Sequence, residues 1–213
     1  GDSLHRVAAR LQVLVGERIE AESPHPRGLA TGVAQAVGGR VLESVEAVGK
    51  NVLFRFERGV TLRSHLRMNG RWRVSPRGTA LTGRPWLVLR GGEWQAAQFN
   101  GPVLELGSRG VARLGPDLLA PHTDVSEVVV RLRAADPTRP VGEALLDQRI
   151  VAGVGNMWMA EALWSAGLSP WTRLADADDS RLVEAIGFAQ ATMRDAVGGH
   201  RPPRAVYRRA GRP

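Results

Sequence analysis

The sequence contains no cysteine, a single tyrosine, a single lysine and no long apolar run. Without cysteine the chain has no disulfide, no thiol nucleophile and no thiolate ligand for zinc or an iron–sulfur cluster. No stretch approaches the roughly 20 apolar residues of a membrane-spanning helix, and the N-terminal segment lacks the pattern of a signal peptide. These absences exclude integral membrane proteins, disulfide scaffolds and cysteine enzymes, and we expect a cytoplasmic protein.

What is present is an ordinary globular composition with a strong positive charge. The 213 residues carry a net charge of +8, and 43% of them are hydrophobic. This length allows one large or two small domains, and the basic charge suits a nucleic acid or another anionic surface. Every basic residue except Lys50 is an arginine. Lys50 is therefore either a chance survivor on a strand or a position that needs the compact charge of lysine.

The first half of the chain reads as a helix followed by strands. Apolar residues from Leu4 to Val15 recur at helical spacing, with Asp2 or Ser3 as a cap and Gly16 at the end. Short apolar runs separated by turn residues then predict an antiparallel β-sandwich. The predicted strands are Arg40–Val48, Val52–Phe56, Val60–Leu66, Trp72–Val74, Trp86–Leu89 and Trp94–Phe99.

The second half reads as helical, beginning after a turn-rich boundary near Gly115. The predicted helices are Asp124–Arg133, Val141–Asp147, Met157–Ala166 and Asp179–Val197. We therefore expect an α+β protein with an N-terminal helix and β-sandwich in residues 1–114, a helical domain in 115–200 and a basic tail in 201–213. The tryptophans expected mainly in the core are Trp72, Trp86, Trp94, Trp158 and Trp164.

The sharpest motif runs from Leu145 to Gly167 and places two glycines and an asparagine between two short helices. Gly153 and Gly155 permit sharp turns and close backbone approach, and Asn156 stands where the second helix begins. The free backbone N–H groups and the positive dipole end at such a position suit a phosphate. The alternative is a plain helical hairpin in which Asn156 is only the cap.

This motif resembles the helix–two-turns–helix of the formamidopyrimidine-DNA glycosylase and endonuclease VIII family of base-excision repair enzymes. Other segments resemble the family in the same order: Val48–Lys50 its RGK strand, Ser64–Gly70 its DNA-entering loop, Arg113–Leu118 its interdomain segment and Ala205–Pro213 the lead-in to its zinc finger. The resemblance covers essentially the whole chain. It implies a DNA glycosylase with abasic-site lyase activity on oxidised bases.

The resemblance gives roles to the candidate residues of the first half. Lys50 would lie in the lesion pocket and contact the phosphate near a nucleotide flipped out of the stack. Met68 would insert as a wedge into the gap that the flipped nucleotide leaves in the base stack, unless it folds back onto the sheet. Arg67 would hydrogen-bond the orphaned partner base, with Asn69 beside it on the same turn. His65 either supports this turn or is structural.

In the second half, the resemblance assigns phosphate contacts to Arg113 and Asn156 on either side of the lesion. Two such contacts would favour the kink that helps a nucleotide leave the stack. With the DNA in a basic cleft between the two halves, we expect a monomer that binds damaged or abasic double-stranded DNA near the bacterial nucleoid and has no membrane partner.

The termini differ from the family pattern. Family chains begin Pro-Glu-Gly, with the terminal proline amine as nucleophile and the glutamate as acid–base group, whereas this sequence begins Gly1-Asp2-Ser3. We expect the natural protein to extend beyond both ends. The chain implies no cofactor of its own, and zinc is expected only in a finger that would follow Pro213.

The strand Gly70–Val74 and the short spacing before the basic tail favour the endonuclease VIII branch and oxidised pyrimidines. Two other hypotheses stay open at this point. One is a non-catalytic DNA-damage binding protein that has lost the amine. The other is a generic basic helix–two-turns–helix binder such as a ribosomal protein, which the segments around Lys50 and Met68 disfavour.

Overall fold

The computed structural model describes residues 1–200 and 205–206, which form two units. The sandwich unit comprises Ser3–Ala112, and the helical unit comprises Gly1–Asp2 together with the described residues from Arg113 onward. The α+β class, with an N-terminal helix, a β-sandwich and a helical second part, is confirmed. Apart from 205–206, the predicted basic tail lies outside the described residues.

The chain opens with the predicted amphipathic helix, α1, at Asp2–Leu11, which continues as a 3-10 turn at Gln12–Leu14. Leu4 and Leu11 on its apolar face are buried in the sandwich core. Gly16 follows with a φ of +87°, a conformation that favours glycine and ends the helix. Two short helices, α2 at Pro26–Leu29 and α3 at Val33–Val37, were not predicted.

The sandwich contains two antiparallel four-stranded sheets. The strands are β1 Glu20–Glu22, β2 Leu42–Val48, β3 Asn51–Phe56, β4 Val60–His65, β5 Arg71–Pro76, β6 Leu87–Arg90, β7 Trp94–Phe99 and β8 Val103–Leu106. One sheet has the order β1-β6-β7-β5 and the other β2-β3-β4-β8. All six predicted strands are present within a few residues of their predicted bounds, and the edge strands β1 and β8 are additional.

Trp72 joins the two sheets. Its ring lies 5.1 Å from the ring of Phe54, and its indole Nε1–H donates a hydrogen bond to Ser64 Oγ at 3.1 Å. Trp72 belongs to β5, whereas Phe54 and Ser64 belong to the opposite sheet. The segment between β4 and β5, called here the 66–70 loop, therefore crosses from one sheet to the other with both ends fixed in the core.

The helical unit has its own apolar core. Its helices are α4 Val125–Arg133, α5 Val141–Leu146, α6 Asn156–Ser165 and α7 Asp179–Val197. Asp124 caps α4, since its carboxylate accepts from the Ser126 N–H at 3.0 Å. The long helix α7 packs against α4 and α6. Within the described residues, no helix is both long and apolar enough to cross a membrane.

The tryptophan predictions are confirmed for three positions and wrong for two. Trp72, Trp86 and Trp158 are buried, whereas Trp94 is 38% and Trp164 is 55% exposed. Trp94 is the first residue of a strand and Trp164 lies in the last turn of a helix. Side chains at such ends have fewer neighbours to cover them than side chains in the middle of an element.

Candidate functional site

Lys50 lies in the tight turn between β2 and β3. Gly49 and Lys50 are the two loop residues of this hairpin, and Gly49 has a φ of +59°, which suits glycine at the first loop position. The Lys50 side chain is half-buried, and no described residue forms a hydrogen bond or ion pair with its ammonium. Burial lowers the pKa of Lys50 below its usual 10.5, because desolvation disfavours the charged form. An anion at this position would restore the lost stabilisation.

A hydrogen-bond network fixes the Lys50 turn. Asn51 Nδ2 donates to the Val48 carbonyl at 3.2 Å, and Asn51 Oδ1 accepts from Arg63 Nη1 at 2.8 Å. The Arg63 Nη2 also binds Glu105 Oε2 at 2.7 Å. Arg63 thus ties the turn to strand β8, on the far side of β4.

Neither Asn51 nor Arg63 was singled out in the sequence. Asn51 could have been recognised in the sequence, because it is the polar residue directly after Lys50. The role of Arg63 could not, because it depends on which strands pair. Gly110 adds to this arrangement because a Cβ at that position would clash with the Arg63 guanidinium. A side chain at position 110 would therefore require the Arg63 guanidinium to move.

The 66–70 loop presents the three predicted residues to solvent. Arg67, Met68 and Asn69 are all exposed. Met68 is 93% exposed, so its side chain does not fold back onto the sheet. Arg67 has a φ of +51°, and its backbone N–H donates to His65 Nδ1 at 3.1 Å. His65 supports the loop through this bond.

His65 lies in a positively charged environment. Burial lowers the pKa of His65 below 6.5, and the charges of Arg67, Arg63 and Lys50 lower it further. His65 is therefore neutral at pH 7. Since Nδ1 accepts a hydrogen bond, the ring proton lies on Nε2. The sandwich unit thus gathers three cations and a neutral imidazole at one place.

In the helical unit, Gln148 organises the two turns before α6. Its Nε2 donates to the carbonyls of Leu146 and Val154 at 2.9 and 3.0 Å, and its Oε1 accepts from the Gly153 N–H at 3.0 Å. Gly153 has a φ of +95°, which explains the glycine at this turn. The motif was recognised in the sequence, but this role of Gln148 was not.

Asn156 is exposed and is the first residue of α6, with Gly155 at the cap position. The N–H groups of a first helical turn have no intrahelical acceptors. Together with the positive end of the helix dipole they attract an anion. The predicted phosphate contact at Asn156 thus has a suitable local structure.

Arg113 is exposed and lies in the same unit as the motif. The segment that follows it pairs with the motif through three backbone hydrogen bonds, one of which Leu118 N–H donates to the Ala152 carbonyl at 3.1 Å. Gly115 N–H donates to the Gln148 carbonyl at 2.9 Å, and Ala152 N–H donates to the Pro116 carbonyl at 2.9 Å. Arg113 therefore extends from a segment that is fixed to the motif.

The first two residues also belong to the helical unit. The Gly1 nitrogen donates a hydrogen bond to the Gly153 carbonyl at 2.7 Å. The Asp2 carboxylate is buried, and its Oδ1 accepts from the Trp158 indole N–H at 3.0 Å. Asp2 was considered in the sequence only as a helix cap. Its bond to α6 shows that the N-terminal segment is anchored to the helix that follows the two turns.

Comparison with known proteins agrees with these features. Residues 3–101 match the formamidopyrimidine-DNA glycosylase N-terminal domain, and residues 114–201 match the formamidopyrimidine-DNA glycosylase H2TH domain. A protein of Streptomyces coelicolor named probable endonuclease 8 2 is 33% identical over 232 aligned residues, which cover 100% of this chain and 82% of that protein. The Mycolicibacterium smegmatis DNA-(apurinic or apyrimidinic site) lyase Nei2 is 37% identical over 139 residues, or 63% of this chain and 54% of that protein.

The fold also matches a solved structure. Lactococcus lactis formamidopyrimidine-DNA glycosylase, bound non-covalently to DNA that contains an AP site, superposes with a TM-score of 0.78 at 23% identity, covering 92% of this chain and 81% of that one. At this identity the likeness shows the fold alone. With both domain matches and the Streptomyces relative, it follows that the chain belongs to the formamidopyrimidine-DNA glycosylase and endonuclease VIII family.

Proposed function

We propose that this chain acts in base-excision repair as a DNA glycosylase with abasic-site lyase activity, and that its substrates are oxidised pyrimidines in duplex DNA. Family membership supports the two activities. The relatives named endonuclease 8 2 and Nei2 support the endonuclease VIII branch. The observation that carries the proposal is the half-buried Lys50 ammonium, which has no acidic partner among the described residues and lies beside the exposed 66–70 loop.

Lys50 is suited to hold a phosphate of a flipped nucleotide. Its partial burial removes water from the ammonium, so an anion would interact with it more strongly than at an open surface. The Asn51–Arg63 network keeps the turn in place before DNA binds. Met68 then fills the gap in the stack, which offsets part of the cost of flipping.

The family chemistry requires an amine nucleophile. The family pattern places a proline and a glutamate immediately before the glycine that corresponds to Gly1. A terminal amine with a pKa of about 8 is partly neutral at pH 7 and can attack. Its nitrogen bonds to C1′ while the bond from C1′ to the base breaks, and the base leaves with a proton from an acid. The C1′–O4′ bond then breaks as O4′ takes a proton, and the nitrogen lone pair forms the C1′=N⁺ double bond of a Schiff base. This Schiff base allows a C2′ proton to be removed as the C3′–O bond breaks and the 3′ phosphate leaves.

The helical unit would hold this amine in place. Gly1 and Asp2, which lead to it, are bound to Gly153 and Trp158. Asn156 and Arg113 in the same unit would bind phosphates of the damaged strand.

Zinc has no step in this mechanism. The chain has no cysteine, and the described residues contain no group of three or more His, Cys, Asp or Glu side chains that could hold a metal. A zinc finger after Pro213 stays a prediction of the family resemblance. We place the protein in the cytoplasm, acting as a monomer at the nucleoid.

Strand incision on defined duplexes tests the substrate class. A single 5,6-dihydrouracil should be excised and its strand cut faster than a single 8-oxoguanine in the same sequence. Faster incision at 8-oxoguanine would overturn the pyrimidine proposal. Binding of an abasic duplex with no incision of any lesion would instead indicate a damage-binding protein.

A further inference from the structure

Four arginines surround a cleft beside the 66–70 loop in the sandwich unit. The cleft has a volume of about 390 Å³ and lies between α1 and the loop. Arg6 and Arg10 line it from the helix, and Arg67 and Arg71 line it from the loop and the start of β5. We call it the arginine cleft. None of the described residues that line it is acidic.

Three of the four arginines of the cleft have no acidic partner among the described residues. In the described part of the chain, no carboxylate pairs with Arg10, Arg67 or Arg71. Five other arginines of the same unit do have an acidic partner. Those paired with a glutamate are Arg18, Arg55, Arg63, Arg77 and Arg90. Because clustered like charges repel one another, these three arginines without acidic partners indicate an anionic ligand.

The lining continues along β5 into a second cleft of about 350 Å³, which shares Arg10 and Trp72 with the first. Arg73 lines this second cleft together with hydroxyl side chains. The guanidinium groups of Arg71 and Arg73 lie 5.1 and 5.5 Å from the centre of the Phe99 ring. Stacking on an aromatic ring holds a guanidinium plane while its edge donors stay available. Guanidinium and hydroxyl donors in a row are typical of contacts to a nucleic-acid backbone.

We propose that the arginine cleft binds the phosphates of the undamaged DNA strand, opposite the lesion, where that strand passes the 66–70 loop. The strand follows from Arg67, which lines the cleft and is predicted to contact the base opposite the lesion. This inference rests on the proposed function, since it takes damaged duplex DNA as the ligand. It adds α1, through Arg6 and Arg10, to the elements that contact DNA.

Salt-dependent binding of Arg10→Gln tests the cleft. Arg10 is exposed near the end of α1, and glutamine is a good helix former, so the variant should fold normally. On a duplex with an abasic-site analogue, the slope of log K against log salt should become less steep by about 0.9 for one lost phosphate contact. Arg10→Lys should keep the wild-type slope. Arg55→Gln, which removes an arginine paired with Glu46, is the matched control and should also keep it.

Neutral methylphosphonates identify the strand. Each duplex carries a single methylphosphonate in the strand opposite the lesion. At one position this neutral linkage should weaken binding of the wild type but should not weaken binding of Arg10→Gln further, because that variant already lacks the arginine–phosphate contact. An unchanged salt slope in Arg10→Gln would overturn the proposal. The proposal would also be overturned if the methylphosphonate position whose effect disappears in Arg10→Gln lay on the damaged strand.

The test of the arginine cleft can fail independently of the proposed function. Phosphate contacts are independent of sequence, so Arg10→Gln should weaken binding of abasic and undamaged duplexes by the same factor. If the wild-type protein shows no preference for the abasic duplex, the proposed function fails. If that preference is present but the Arg10→Gln slope is unchanged, only the arginine cleft fails.

Discussion

Lys50 is the residue on which the proposed chemistry of the sandwich unit depends most. It is the single lysine of an arginine-rich chain, and its ammonium is half-buried at a tight turn. A guanidinium is larger and planar, so it cannot replace a compact ammonium in such a place without moving its surroundings. The burial of Lys50 thus accounts physically for a lysine at this position.

Substitution of Lys50 should reduce the glycosylase rate without unfolding the protein. For Lys50→Met we expect a loss of about 100-fold in single-turnover excision, the magnitude typical of a lost electrostatic contact to the reacting group. Lys50→Arg should keep part of the activity, since it keeps the charge but not the shape. Arg55→Gln is the control for loss of a positive side chain. A wild-type rate in Lys50→Met would contradict the role of this residue.

His65 should titrate below the usual histidine range. Because burial and the charges of Arg67, Arg63 and Lys50 lower its pKa below 6.5, the unfolded chain binds this proton at a higher pH than the folded chain. The contribution of His65 to stability is then complete above pH 6.5 and is lost as the pH falls through the folded pKa. NMR titration of the ring signals should show this, and Arg67→Gln should move the pKa back towards 6.5. A His65 pKa above 6.5 in the wild-type protein would contradict the burial and the positive charges described around this ring.

At the scale of elements, apolar periodicity predicted most of the fold. The long helix α7 and the central strands were predicted because their buried positions repeat at helical or strand spacing. The short strands β1 and β8 were missed because they lie at sheet edges and carry exposed acidic residues such as Glu20 and Glu105. The pairing of β1 and β8 depends on the neighbouring strands of each sheet and not on a pattern in their own residues.

The candidate site was predictable only in part. The resemblance identified the residues that face outward, such as Lys50, Met68 and Asn156. It did not identify Arg63 or Gln148, which hold these residues in place by hydrogen bonds across strands or turns. Such partners depend on strand register and on backbone direction, which the local sequence does not specify.

The two turns before α6 should loosen when Gln148 loses its donors. Gln148→Glu keeps the acceptor for Gly153 but leaves the carbonyls of Leu146 and Val154 without their donor. We expect a loss of about 1–3 kcal/mol in the stability of the helical unit. Hydrogen exchange should become faster around residue 153.

A matched control exists in the sandwich unit. Gln12 Nε2 donates to the carbonyls of Ala8 and Val45 at 3.2 and 2.7 Å. Gln12→Glu should destabilise that unit and leave exchange around residue 153 unchanged. Equal exchange changes in both variants would contradict a local role for Gln148.

At the scale of the whole molecule, each unit has its own apolar core, so each should respond separately to destabilising conditions. Asp147 links stability to pH in the helical unit. Its carboxylate binds Arg149 at 2.7 Å and Arg139 at 3.1 Å. Hydrogen bonding to Arg149 is the main reason that the pKa of Asp147 lies well below 3.8.

Asp147→Asn should remove an acid-sensitive part of this stability. Because the folded pKa is lowered, the stabilisation is present above about pH 4 and is lost as the pH falls. The variant should therefore melt at a lower temperature at pH 7, and its difference from the wild type should shrink in acid. Asp136→Asn, on an exposed carboxylate bound to Thr138, should have a smaller effect. A difference between Asp147→Asn and wild type that does not depend on pH would contradict the ion-pair explanation.

Borohydride trapping tests the central claim most directly. The protein, translated from its natural start, is incubated with a duplex that carries one abasic site, and the linked peptide is mapped by mass spectrometry. We predict a covalent adduct on the amine of a proline two residues before Gly1, because Gly1 and Asp2 are anchored to the helix–two-turns–helix motif. Tight binding of the abasic site without any adduct would contradict the lyase activity. An adduct on Lys50 would contradict the role given to that side chain.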